Sequence, residues 1–108
     1  MTNEVEEIRI SIEEAKEVIK TKEDTIRLVE SDLFQKIVGK RYFEEESARL
    51  VGLLSDDNID DKALAGVHRQ MFGISNFQRF LRELIQKGEM MEQGLEDAQE
   101  ELDGMEVN

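Results

Sequence analysis

Apolar residues recur along this chain at alternating intervals of three and four. In the first third, Val5, Ile8, Ile12, Ala15, Ile19, Ile26, Val29 and Leu33 follow that spacing, interrupted only by Lys22. In the last third, Phe77, Leu81, Leu84, Gly88, Met91, Leu95, Ala98, Leu102 and Met105 follow it again. Residues at these intervals share one helix face, and a sustained alternation gives a coiled-coil seam. The spacing predicts an N-terminal helix over about residues 3–30 and a long helix over about 61–103. Ile10 and Val18 widen the first stripe, which suggests more than one neighbour. A lysine in a seam can snorkel out to water, and a polar seam residue often fixes register at a cost in stability.

Between the stripes the pattern is shorter and more aromatic. Ser31 followed by Asp32 suits an N-cap and first turn. Phe34, Ile37 and Val38 then form an apolar patch before Gly39, where the chain could turn. This predicts a short helix over 32–38 and another over 40–54, with a break at Ser31 or Gly39. The alternative is one helix running straight through, because Val29, Leu33 and Ile37 keep a helical spacing. Tyr42, Phe43, Ser47, Leu50, Val51, Leu53 and Leu54 give the second helix a broad apolar face. Glu44, Glu45 and Glu46 fall at its start, where the helix dipole favours negative charge.

Ser55-Asp56-Asp57-Asn58-Ile59-Asp60-Asp61 reads as a loop over 55–60, ending in acids suited to capping the next helix. That helix carries Leu64, Val67, Met71 and Ile74, and the step to Phe77 slips by one residue, a stammer that would overwind a supercoil. Gly88, Gly94 and Gly104 each weaken it by up to about 1 kcal/mol relative to alanine. The loop lies near the middle of the chain, so folding back on it sets Ile12 opposite Leu102 and Val29 opposite Ile85. The expected fold is all-α, a single domain over 1–108 built as a long antiparallel helical hairpin or coiled coil.

Charge sharpens this picture. The net charge is −12, and from Gly88 onward every charged residue is acidic. Residues 31–87 hold nine acids and nine bases. Such a C-terminal surface repels nucleic acid and anionic membranes, so neither is expected as a direct partner. With no proline, no position forces a kink, and with no cysteine there are no disulfides or thiolate metal sites. The acidic N-terminus has no apolar signal region and no apolar run approaches the length of a bilayer span, so a soluble intracellular protein is expected.

Candidate chemistry is sparse. Asp56, Asn58 and Asp60 match the first three ligand positions of a calcium loop, but Asp61 stands where glycine belongs and Val67 where glutamate belongs. A lone His68 without cysteine makes no zinc site. No nucleophile elbow, phosphate loop or zinc-protease motif is present. No catalytic residue, cofactor or metal is therefore expected. The bases Lys36, Lys40, Arg41, Arg49, Arg69, Arg79, Arg82 and Lys87 interleave with Tyr42, Phe43, Phe77 and Phe80, a mixture that would bind nucleic acid only if gathered on one face. Ion pairing within the hairpin is the more economical reading.

The stretch from Ser31 to Val51, with its apolar patch, glycine, two aromatics, acidic run and Ala-Arg-Leu-Val ending, resembles small acidic helical proteins of tailed bacteriophages. Those proteins are encoded among the head-assembly genes. Ile74 to Glu92 is similar to them as well, and the layout of residues 1–105 follows theirs. Their counterpart of Ser31-Asp32 commonly carries proline, which this chain lacks. The resemblance implies a non-enzymatic structural or assembly protein of a phage particle. It would be found in the host cytoplasm during infection or incorporated in the virion.

Two readings of function follow. In the first, the chain associates through its apolar stripes, with itself or with a capsid, portal or scaffold protein. The seam residues Ile8, Ile12, Ile19, Ile26, Leu81, Leu84, Met91 and Leu95 would carry that contact. In the second, the acidic face of Glu89, Glu92, Glu96, Asp97, Glu100 and Glu101 imitates nucleic-acid phosphates and blocks a host enzyme.

Overall fold

A computed structural model of the chain describes residues 2–107, with side chains from 3 to 105. It is all-α. In order come α1 (Thr2–Glu30), α2 (Asp32–Phe34), a π-helix (Gln35–Glu46), α3 (Ser47–Leu54) and α4 (Asp61–Val107). Two compact units divide the contacts: residues up to Ile26 with those from Arg82 onward, and Arg27–Leu81. Below they are called the acidic unit and the aromatic unit.

The break after α1 is at Ser31. Its backbone is extended, with φ −67° and ψ 146°, and its hydroxyl accepts the Phe34 N–H at 3.3 Å. The same hydroxyl donates to the Leu28 carbonyl at 2.7 Å, so one side chain closes α1 and opens α2. Gly39 makes no turn. Helical backbone runs unbroken from Asp32 to Leu54, so the expected separate helices over 32–38 and 40–54 are one run. Glu44–Glu46 consequently lie inside a helix rather than at its start. Glu46 instead receives the Arg49 guanidinium, whose Nε donates at 3.1 Å.

The central twelve residues of that run are bonded i→i+5, wider than an α-helix. The winding decides where the aromatics go. Phe34 and Phe43 are nine residues apart, about two and a half α-turns, which would put them on opposite sides. At about 4.4 residues per turn they align, and their rings meet edge to face at 6.3 Å. Phe43 also meets Phe77 at 5.8 Å, and Tyr42 meets Phe77 at 6.3 Å. Beneath these rings lies the core of the aromatic unit, Leu50, Val67 and Ile74, flanked by Phe43, Leu54, Ile59 and Met71.

The chain reverses at 55–60 as expected. Asp56 Oδ1 accepts the Asn58 N–H at 2.9 Å, and Asp60 Oδ1 caps α4 by accepting the Ala63 N–H at 2.8 Å. These residues hold the turn and the cap. In α4, Val67, Ile74 and Leu81 are buried at intervals of seven, so the seam carries through the expected stammer and Phe77 belongs to the ring cluster beside it.

Candidate interaction surfaces

In the acidic unit α1 and α4 run antiparallel. Ile12 and Leu102 line one cleft, and Lys22 pairs with Glu92. This agrees with the facing positions read from the stripes. The buried residues on the α1 side are Ile12, Ala15 and Thr25, and on the α4 side Gly88 alone among the described residues of this unit. Small residues at both surfaces let the helix backbones come close.

Lys22 does not leave the seam. Its side chain is only 16% exposed and lies directly over Gly88. A Cβ added to Gly88 would fall 2.2 Å from Lys22 Cβ, so no side chain fits there without moving a helix. The ammonium ends on Glu92, one turn further along α4. The carboxylate's hydrogen bond holds the lysine's pKa above its ordinary 10.5, assisted by Glu92, Glu89 and Glu23 charge and opposed by desolvation. Lys22, Gly88 and Glu92 therefore index one helix against the other. Composition marks Gly88 only as a weak helix former, and its purpose emerges from what faces it.

Of the eight seam residues, Ile12 and Leu81 are buried, and Ile8, Ile19, Ile26, Leu84, Met91 and Leu95 are partly buried. The seam builds the fold, which leaves little of it for a partner. Thr25 was not legible as a seam residue. It is buried, and its hydroxyl donates to the Thr21 carbonyl at 2.7 Å, satisfying the group within its own helix. Its position seven residues after Val18 was the available signal. Glu89, Glu92, Glu96, Asp97, Glu100 and Glu101 are all exposed.

The aromatic unit presents a different surface. Leu33 is 75% exposed, Phe72 67% and Phe80 57%, with Ile37, Val51, Tyr42 and Phe77 also uncovered. Interaction surfaces present large apolar side chains of this kind in contiguous patches. The sequence assigned such contact to the seam, and the structure places the exposed apolar area elsewhere. Among the described residues there is no helix long and apolar enough to cross a membrane. Nor do they contain a group of three or more His, Cys, Asp or Glu side chains placed to hold a metal ion. The sequence matches no protein-family model, no curated protein and no solved structure.

Proposed function

We propose that this chain is a non-enzymatic helical interaction protein that takes part in building a phage particle, meeting its protein partners in the host cytoplasm during infection. The observation that carries the interaction reading is the uncovered apolar surface of the aromatic unit, led by Leu33, Phe72 and Phe80. The phage setting rests on the resemblance over residues 31–51 and 74–92. The acidic exterior keeps such a surface from indiscriminate association, because like charges oppose contacts between the wrong faces. Mass spectrometry of purified particles and assembly intermediates tests the setting. Stoichiometric recovery with capsid, portal or scaffold protein supports it, and absence from both overturns it.

A second reading is favoured by one observation. Glu89, Glu92, Glu96, Asp97, Glu100, Glu101 and Asp103 form an exposed row of carboxylates on one helix. Such a row can occupy a basic nucleic-acid cleft. Recovery of a host nuclease or polymerase on the purified chain, lost at moderate salt, would establish that reading in place of the first.

A further inference from the structure

Twelve residues in a row, Gln35–Glu46, are bonded i→i+5. Helices of this kind occur mostly as single turns set into α-helices, often at functional sites. Here the winding lasts about 2.7 turns, where an α-helix of the same length makes about 3.3. The local sequence does not ask for it. Gln35, Lys36, Lys40, Arg41, Glu44, Glu45 and Glu46 are straight-chain residues that favour the α-helix, and no proline interrupts them.

Burial within the segment does not hold the wide form either, because none of the twelve residues is buried. Its distinguishing contacts are those of rings. Phe43 meets Phe77 at 5.8 Å and packs beside the Leu50 core, so the far end of the segment is pinned. At the near end Phe34 is buried, with its ring edge to face with Phe43 at 6.3 Å. Only wide turns bring these two ends together, since α winding carries Phe34 and Phe43 to opposite sides. Leu50 is fully buried beyond the far end, whereas Ser31, with its extended backbone, already interrupts the helix before Phe34. Any rewinding is therefore taken up at Ser31.

We infer that Gln35–Glu46 is a latched segment, in which the contact of Phe34 with Phe43 holds the wide winding and release of Phe34 returns the turns to an α-helix. The latch governs what the unit shows to solvent. Ile37 and Tyr42 are five residues apart, both exposed, and share one side while the turns are wide. Wound as an α-helix they stand about 140° apart. A partner that reads this pair meets it in the latched state alone. That consequence rests on the interaction reading above, and the latch itself does not.

Couplings transmitted through backbone hydrogen bonds, measured by NMR on the isotope-labelled full chain, report which carbonyl each amide pairs with. Wild type should show i→i+5 pairs across the segment. Phe34→Ala lies outside the twelve residues and leaves their own preferences untouched. It should replace most of these pairs by i→i+4 pairs, while the Leu50 methyl signals keep their positions. Should that variant lose its fold, Phe34→Leu keeps apolar bulk without the ring edge and should show both sets of pairs at once. Pairs of the i→i+4 kind in wild type overturn the inference, as do wide pairs unchanged in whichever Phe34 variant folds. No partner enters these measurements, so their failure leaves the proposed function standing. Absence of the chain from particles would equally leave the latch standing.

Discussion

In the aromatic unit the packed face is filled by rings, with Phe34, Phe43, Tyr42 and Phe77 in a chain of edge contacts above Leu50. In the acidic unit it is emptied, with Ala15, Thr25 and Gly88 at the contact and a lysine lying in the gap. The charges differ as sharply. The aromatic unit holds nine acids and eight bases for a net −1, and the acidic unit 17 acids and six bases for −11. A filled core gains stability from buried apolar volume and leaves surplus apolar surface outside. A close-packed, charged pair gains less from burial and gains its uniqueness from one steric fit. The two solutions should therefore respond differently to substitution.

The largest effect belongs to the core. Leu50 is fully buried, and Leu50→Ala should cost about 2–5 kcal/mol. Small domains have only about 5–15 kcal/mol to lose, so urea denaturation should show a marked fall in midpoint. Ile19→Ala, at a partly buried seam position of the acidic unit, should cost less, and a matching loss there would erase the contrast between the units.

Gly88→Ala follows. Propensity alone favours alanine by about 1 kcal/mol, but the new methyl meets Lys22 Cβ, which is no flexible tip, and overpacking costs about 1–3 kcal/mol. A net loss of stability is expected. Gly94→Ala is the control on the same helix. Nothing lies within 4 Å of its added Cβ, so thermal denaturation should register a gain of about 0.5–1 kcal/mol. Equal gains at both positions would show that the helices do not approach at Gly88.

Ser31→Ala removes the cap between α1 and α2 and should cost about 1 kcal/mol, with amide hydrogen exchange quickened at Phe34. Smallest is the response to pH. Because Lys22 is held above 10.5, its pairing contributes fully below that value and is lost as pH rises through the folded-state pKa. Glu46 is held below its ordinary 4.5 by the Arg49 hydrogen bond, so its contribution is present above 4.5 and fades only as pH falls through the lowered value. Alkaline titration of wild type against Lys22→Met, and acid titration against Glu46→Gln, should each show the wild type losing more stability in its own window.

The three-four alternation carried the helix bounds and the alignment of Ile12 with Leu102, because a stripe is a one-dimensional signature of a face. Asp60 was legible as a cap for the same local reason. The wide helix was not, since templates of 3.6 residues per turn scatter Phe34 and Phe43 to opposite sides and make Gly39 look like punctuation. Their nine-residue spacing was the available clue. Nor could the stripes reveal that Lys22 stays inside, because that depends on the space Gly88 leaves across the interface. The exposure of Leu33, Phe72 and Phe80 is out of the stripes' reach for a related reason, because periodicity picks out the apolar residues that pair across helices.

The i→i+5 winding of Gln35–Glu46 bears on which sequence changes the chain tolerates. Removing a single residue from those twelve lets one wide turn rewind as an α-turn, which covers the same rotation with about one residue fewer. Phe43 then keeps its side and Leu50 its bearing on the core. Exchanging exposed Lys36 or Lys40 leaves the winding untouched. Descendants of this chain should therefore tolerate the loss of one residue in this segment better than within the regular α-helices.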